Sequence, residues 1–165
     1  MNLVVSDTSS LTNLAAIGQF ELLKRMYGFV HIAQAVWNEL NANGQRWPGC
    51  DEVAAANWIR QHIPTNRLLI ASLCQDLDRG ESESIALALE LNASFIILDE
   101  RDGRHKAIQL GLKPIGVVGI LLSAKSKGMI QEIKPLLYAL RQKAGFYISN
   151  SLFTEVIRLA GEERI

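Results

Sequence analysis

A chain of 165 residues, 48% hydrophobic and 21% charged, is long and apolar enough to bury one core, and its composition excludes wholesale disorder. Its 17 basic residues balance 17 acidic ones, which excludes a polybasic binder that holds nucleic acid by summed charge, although a metal ion can supply positive charge at one point. The longest apolar runs, around 68–74 and 116–124, fall short of the roughly 20 residues a membrane span needs, and the first residues lack a basic, apolar leader, so the chain reads as cytoplasmic with no membrane partner.

Residues 3–5 form a short apolar run that stops at Ser6 and Asp7 and predicts a buried strand. Residues 8–17 and 19–27 have helical spacing, separated by Gly18; 29–32 predict a second strand and 33–40 a helix. Asn, Gly and Pro make 41–49 a loop, and 51–61 has helical spacing. Further on, 79–91 predicts a helix, 94–98 a strand, 102–110 a helix and 113–115 a short strand. Gly111 stands where that last helix would stop, with Pro114 just beyond. Helices follow over 117–127 and 132–143 with Gly128 between them, then an edge strand over 146–148 and a closing helix over 151–160. Strands alternating with helices imply an α/β fold, a mainly parallel central sheet flanked by helices on both faces. We expect a single domain over 1–165, with its core in about 1–150 and a C-terminal helix in 151–165. Sites in such sheets lie beyond the carboxyl ends of the strands.

Two apolar runs end alike: 3–6 runs into Asp7, and 95–98 runs into Asp99. If both strands are parallel, both carboxylates emerge at the edge where this fold class places its chemistry; alone, Asp7 could be a helix cap and Asp99 the start of a turn. On a helix through residue 40, Ile32, Ala35, Val36 and Leu40 make an apolar stripe, and Glu39 falls between Ala35 and Val36 near its middle. A carboxylate there needs a cation as partner, unless the helix end leaves it partly exposed. The stretch Asp78-Arg79-Gly80-Glu81-Ser82-Glu83 precedes an apolar helix. Asp78 and Glu81 have capping-box spacing, which accounts for Glu81 and leaves Glu83 as the preferred ligand from this segment, with Glu81 second.

A ring of carboxylates suits Mg²⁺ or Mn²⁺, hard ions that favour oxygen and keep several waters. There is no CxxC, HExxH or GxxxxGK[ST]; Cys50 and Cys74 read as reduced thiols, and His31, His62 and His105 are scattered. A haloacid-type phosphotransfer domain would need Asp-x-Asp, where this chain has Asp7-Thr8-Ser9. Arg101, Arg104, His105 and Lys106 form the one dense basic patch, suited to substrate phosphates or to the solvated face of a helix.

At these residues the chain resembles the PIN-domain family. Val4-Val5-Ser6-Asp7-Thr8-Ser9-Ser10-Leu11-Thr12-Asn13-Leu14 is similar to the first strand and turn of PIN domains, and His31-Ile32-Ala33-Gln34-Ala35-Val36-Trp37-Asn38-Glu39-Leu40 to a helix ending in a metal-facing Glu. Gly80-Glu81-Ser82-Glu83-Ser84-Ile85-Ala86-Leu87-Ala88, Ile97-Leu98-Asp99-Glu100-Arg101-Asp102-Gly103-Arg104 and the later 116–130 resemble a VapC-like prokaryotic branch, in which Gly-Glu-x-Glu replaces a third-motif Asp. The resemblance spans 1 to about 150. It implies a PIN fold and a Mg²⁺- or Mn²⁺-dependent endoribonuclease, often a toxin with a cognate antitoxin and a homodimer. The catalytic set would be Asp7, Glu39, Glu83 and Asp99, with Glu81 a further candidate metal ligand. Ser9, Asn13 and Asp102 would support them, and Arg101, Arg104 and Lys106 would hold RNA. The substitution of Glu for the third-motif Asp leaves a second reading, a PIN-like protein of weak or lost activity that binds RNA or an antitoxin-like partner.

Overall fold

The computed structural model describes residues 2–42 and 47–163. In chain order it runs β1 (Val4–Ser6), α1 (Thr8–Ala16), α2 (Glu21–Tyr27), β2 (Val30–Ala33), α3 (Gln34–Leu40), α4 (Cys50–Ala55), β3 (Ile59–His62), α5 (Arg67–Leu73), α6 (Arg79–Glu90), β4 (Phe95–Ile97), α7 (Arg101–Gln109), β5 (Pro114–Ile115), α8 (Val117–Ser126), α9 (Lys134–Lys143) and α10 (Asn150–Leu159). Among the described residues the five strands form one parallel sheet in the order β3-β2-β1-β4-β5. The expected α/β architecture is therefore present, with every pairing parallel.

Local chemistry sets the element ends. Asp7, Asn66, Asp78 and Ser149 each accept a backbone N–H of the first helical turn that follows them. Gly111 and Gly128, at φ of +87° and +72°, stop α7 and α8 in the left-handed region that a Cβ disfavours.

Alternate strand residues point to opposite faces, so one sheet feeds two cores. Val4, Val30, Ile32 and Ile97 pack with α1, α2, α8, α9 and α10, while Val5, Ala33, Ile96 and Leu98 pack with α5, α6 and α7. Burying each large aliphatic side chain in these layers contributes roughly 1.5–3 kcal/mol.

Two sequence expectations are corrected, and one segment without an assigned element proves helical. The helical spacing over 51–61 holds only through α4; the rest turns through Trp58, buried against Phe20, into edge strand β3. The segment 67–73 is helix α5, capped by Asn66. Residues 146–148 join no strand, because Arg141 takes the Ile148 carbonyl at 2.7 Å and the Phe146 N–H donates to Leu140. Of the expected loop 41–49, residues 43–46 lie outside the described residues. Pairing β2 with β3 also brings together His31 and His62, far apart in sequence, with Nδ1 and Nε2 2.8 Å apart. Among the described residues no helix is long and apolar enough to cross a membrane.

The chain returns from β3 to the far side of β1, so connections leave β1 and β4 in opposite directions along the sheet. That divergence opens a crevice beyond the carboxyl ends of these two strands, the place where open parallel sheets bind ligands.

Candidate active site

Asp7 directly follows β1 and Asp99 lies two residues past β4, and Ser6 pairs with Ile97 across the two strands. Both carboxylates thus leave the sheet at the same edge, over the crevice. Asp7 is 2% exposed; its Oδ1 accepts the Ser10 N–H at 3.1 Å and its Oδ2 the Ser9 hydroxyl at 3.1 Å. The capping role and the place at the strand end coexist in one side chain. Ser10 also donates its hydroxyl to Asp99 Oδ2 at 3.4 Å, so one serine touches both acids. Asp99 in turn accepts the Val117 N–H at the start of α8, at 3.2 and 3.1 Å. A Cβ on Gly116 would lie 2.5 Å from Asp99 Oδ1, so the bare backbone there is what admits the carboxylate.

Glu39, half-buried on α3, accepts the Thr8 hydroxyl from α1 at 2.5 Å. Its carboxylate rests on the first turn of α6, where a Cβ on Gly80 would fall 2.3 Å from Oε1. The N-terminal end of a helix, with its free N–H groups, favours that negative charge.

Asp7, Thr8, Ser9, Thr12, Glu39, Asp78, Glu81 and Glu100, with Trp47, line one cleft of about 410 Å³. Glu81 is 9% exposed and its carboxyl has no hydrogen-bond partner among the described residues. Half of the expected capping box is present, since Asp78 Oδ1 accepts the Glu81 N–H at 2.8 Å. The reciprocal bond from the Glu81 side chain is absent among the described residues, and the carboxyl faces the cleft.

The sequence prefers Glu83 as the ligand from this segment, with Glu81 second; in the structure Glu81 lines the cleft, and Glu83 lies outside its lining though near enough for its charge to raise Glu39. Glu83 lies on another side of α6, where Oε2 pairs with Arg79 Nε at 2.7 Å and Oε1 accepts the Ala35 N–H at 3.1 Å. It lines a different depression, with Arg67 and Arg79, and ties α6 to the start of α3.

Crowding of acids has an electrostatic signature. Burial pushes Asp7 from 3.8 up to about 7, helped by the charge of Asp99 and opposed by the bonds from Ser10 and Ser9. Burial pushes Glu81 from 4.5 to about 8, reinforced by Asp78, Glu100, Asp7 and Glu39. Glu39 is raised by burial and by Asp78 and Glu83, against the Thr8 and Gly80 bonds that lower it. Asp99 is raised by burial, against the Val117 N–H, Arg104 and Ser10.

Among the described residues lining the cleft there is no lysine, arginine or histidine to offset these charges. The donor set is entirely oxygen, carboxylates and hydroxyls, which fits a hard divalent cation. No three acidic, imidazole or thiol side chains among the described residues are gathered closely enough to ligate one ion together. One or two carboxylates with water completing the shell is, however, how Mg²⁺ is usually held.

The remaining expected residues are spread outward from the acids. Ser9, Asn13 and Arg101 line a depression of about 330 Å³ with Asp99, Glu100 and Tyr147. Arg101, Asp102, Arg104 and His105 line another beside Asp99. Arg104 Nη1 donates to the Leu98 carbonyl at 3.0 Å, so part of its donor capacity serves the turn after β4. Lys106 is half-buried on α7 and lines neither depression.

Sequence reasoning missed Thr8, Ser10, Asp78 and Glu100. Thr8 and Ser10 flank the recognised Ser9, and their partners are 31 and 89 positions away, which no local pattern encodes. Glu100 carried a signal in its place next to Asp99.

A family model described as PIN domain matches residues 3–162 of the chain. No curated protein and no solved structure matches it.

Proposed function

The chain belongs to the PIN-domain family, whose members are commonly nucleases using divalent metals, and on that premise we propose that it is a Mg²⁺- or Mn²⁺-dependent ribonuclease that hydrolyses RNA phosphodiester bonds. The observation that carries this reading is the cleft lined by Asp7, Glu39 and Glu81 with no basic side chain among its described residues. Two of these carboxyls hold their protons to about pH 7 and 8 in the absence of a cation. A buried acid cluster of that kind is costly unless a cation shares it.

Asp7 is the carboxylate proposed to hold the ion, with Glu39 and Glu81 meeting it through the waters that complete its shell, and Asp99 on the far side of Ser10 is the acid proposed to border the substrate. When bound, a divalent ion would lower the pKa of a water and offset charge developing on phosphate oxygens. The chain's own groups orient the rest. Ser9 and Ser10 fix the two oxygens of Asp7, and Thr8 fixes Glu39. Ser10 and the Val117 N–H fix Asp99. Arg101, exposed beside Asp99 and Glu100, is the proposed contact for a substrate phosphate.

The VapC-like resemblance of 80–88 and 97–104 supports a toxin role, with a cognate antitoxin and a homodimer as partners. Chelation with add-back tests the enzymatic reading: cleavage of RNA in Mn²⁺ should stop on chelation and resume when the ion is restored. Cleavage indifferent to chelation would point to other chemistry, and the absence of cleavage to a binding protein on the same scaffold.

A further inference from the structure

The segment between α9 and α10 presents one aromatic ring to solvent beside the acids. Gly145, at φ +64°, turns the chain out of α9, and the Phe146 N–H donates to the Leu140 carbonyl at 2.9 Å. Two residues on, Ile148 is 4% exposed and its carbonyl accepts from Arg141 at 2.7 Å. Arg141 is itself held, its guanidinium 4.6 Å over the Phe153 ring. Phe146 and Ile148 therefore pack inward and anchor the backbone, and Tyr147 between them faces outward. Tyr147 is 84% exposed, the most exposed aromatic side chain among the described residues. Its hydroxyl has no hydrogen-bond partner among them.

This ring does not stand on an isolated patch. It lines the depression that also contains Ser9, Asn13, Asp99, Glu100 and Arg101. That depression shares Ser9 and Glu100 with the acidic cleft, and Asp99 and Arg101 with the basic one. Acids, aromatic and guanidinium thus lie along one continuous track. A second exposed aromatic, Trp47 at 48%, lines the acidic cleft itself. A solvent-facing ring on an anchored backbone, next to the Arg101 guanidinium and to an Asn13 carboxamide with no hydrogen bond among the described residues, matches the needs of an unpaired nucleotide: a face to stack on, an edge to bond and a charge to meet. A base-paired duplex keeps its bases stacked on one another and has no use for such a ring.

We propose that Tyr147 is a base-stacking residue that holds the nucleotide next to the one attacked. The proposal rests on the ribonuclease reading and adds a substrate-positioning residue to it.

Steady-state cleavage in Mn²⁺ of a short single-stranded oligoribonucleotide and of the same strand with abasic sites flanking the cleaved bond tests it. Tyr147→Ala should raise KM for the intact strand about tenfold, the effect of losing one base–aromatic stack, and leave kcat close to wild type. Tyr147→Phe should behave as wild type, since the ring and not the hydroxyl carries the contact. The abasic strand should show the same loss with wild type and no further loss with Tyr147→Ala, because one contact cannot be removed twice. If wild type cleaves but Tyr147→Ala matches it on the intact strand, or loses as much on the abasic strand as on the intact one, the stacking proposal falls and the nuclease reading stands. If wild type cleaves nothing, both fall.

Discussion

A Cβ built on Gly80 would lie 2.3 Å from Oε1 of Glu39 and 2.8 Å from its Cδ and Oε2. Helix α6 therefore begins against the carboxylate of α3, and a side chain at position 80 would occupy the carboxylate's place. Alanine ordinarily improves a helix over glycine by about 1 kcal/mol. Here the obstacle is the end of a flexible side chain, which can swing aside. Gly80→Ala should accordingly melt close to wild type while cleavage falls by ~100-fold, the order of loss when a site group is misplaced by about an ångström. Melting curves beside cleavage rates check this; a variant of unimpaired activity would show that Glu39 has no role at its present position.

Glu81 and Glu83 stand two residues apart and should separate cleanly. Glu81→Gln removes the unpartnered acid of the cleft and should abolish metal-dependent cleavage with the fold intact. Glu83→Ala should retain cleavage and lose stability, by about 1–3 kcal/mol for leaving the buried Ala35 N–H without its acceptor. The exposed Arg79 contributes little to that figure, since its pairing is screened by water. Denaturant titrations with activity assays on both variants would reveal a reversed pattern if Glu83 were the ligand.

Asp7 makes stability depend on pH in a definite direction. Its folded-state pKa, about 7, lies above the ordinary 3.8, so the folded chain holds the proton more tightly than the unfolded one. This contribution favours folding fully below about pH 4 and is lost as pH rises through about 7; Glu81 extends the window to about 8. Asparagine caps a helix as well as aspartate but carries no charge. In chelator, Asp7→Asn should therefore melt like wild type near pH 4 and several degrees above it at pH 9, each kcal/mol being worth roughly 2–4 °C in a chain of this size. Mn²⁺ should raise the wild type at pH 8 and leave Asp7→Asn unmoved. Parallel melting curves across pH would contradict the burial of a charge at Asp7.

Much of this was legible in the sequence. Runs of apolar residues ending in Asp7 and Asp99 announced parallel strands with acids at a common edge, because strand period and turn chemistry are local. Glu39 was legible through its place on the apolar stripe of its helix. What escaped depended on contacts distant in sequence. The choice between Glu81 and Glu83 turned on a capping box whose second half is not made, and on an Arg79 and an Ala35 N–H that draw Glu83 away. Strand β3 hid within helical spacing because Trp58 turns inward to Phe20, a tertiary contact that overrides local pattern. The apolar residues Phe146 and Ile148 anchor a loop rather than an edge strand, and Tyr147 is left outside.

The central claim is tested most directly by incubating wild type and Asp7→Asn with mixed-sequence single-stranded RNA in Mn²⁺, the fold of both verified by circular dichroism. Wild type should cleave, stop on chelation and resume on restoring the ion, and Asp7→Asn should not cleave at any stage. Cleavage by Asp7→Asn at the wild-type rate, or no cleavage by the folded wild type, would contradict a metal-dependent nuclease site built on that aspartate.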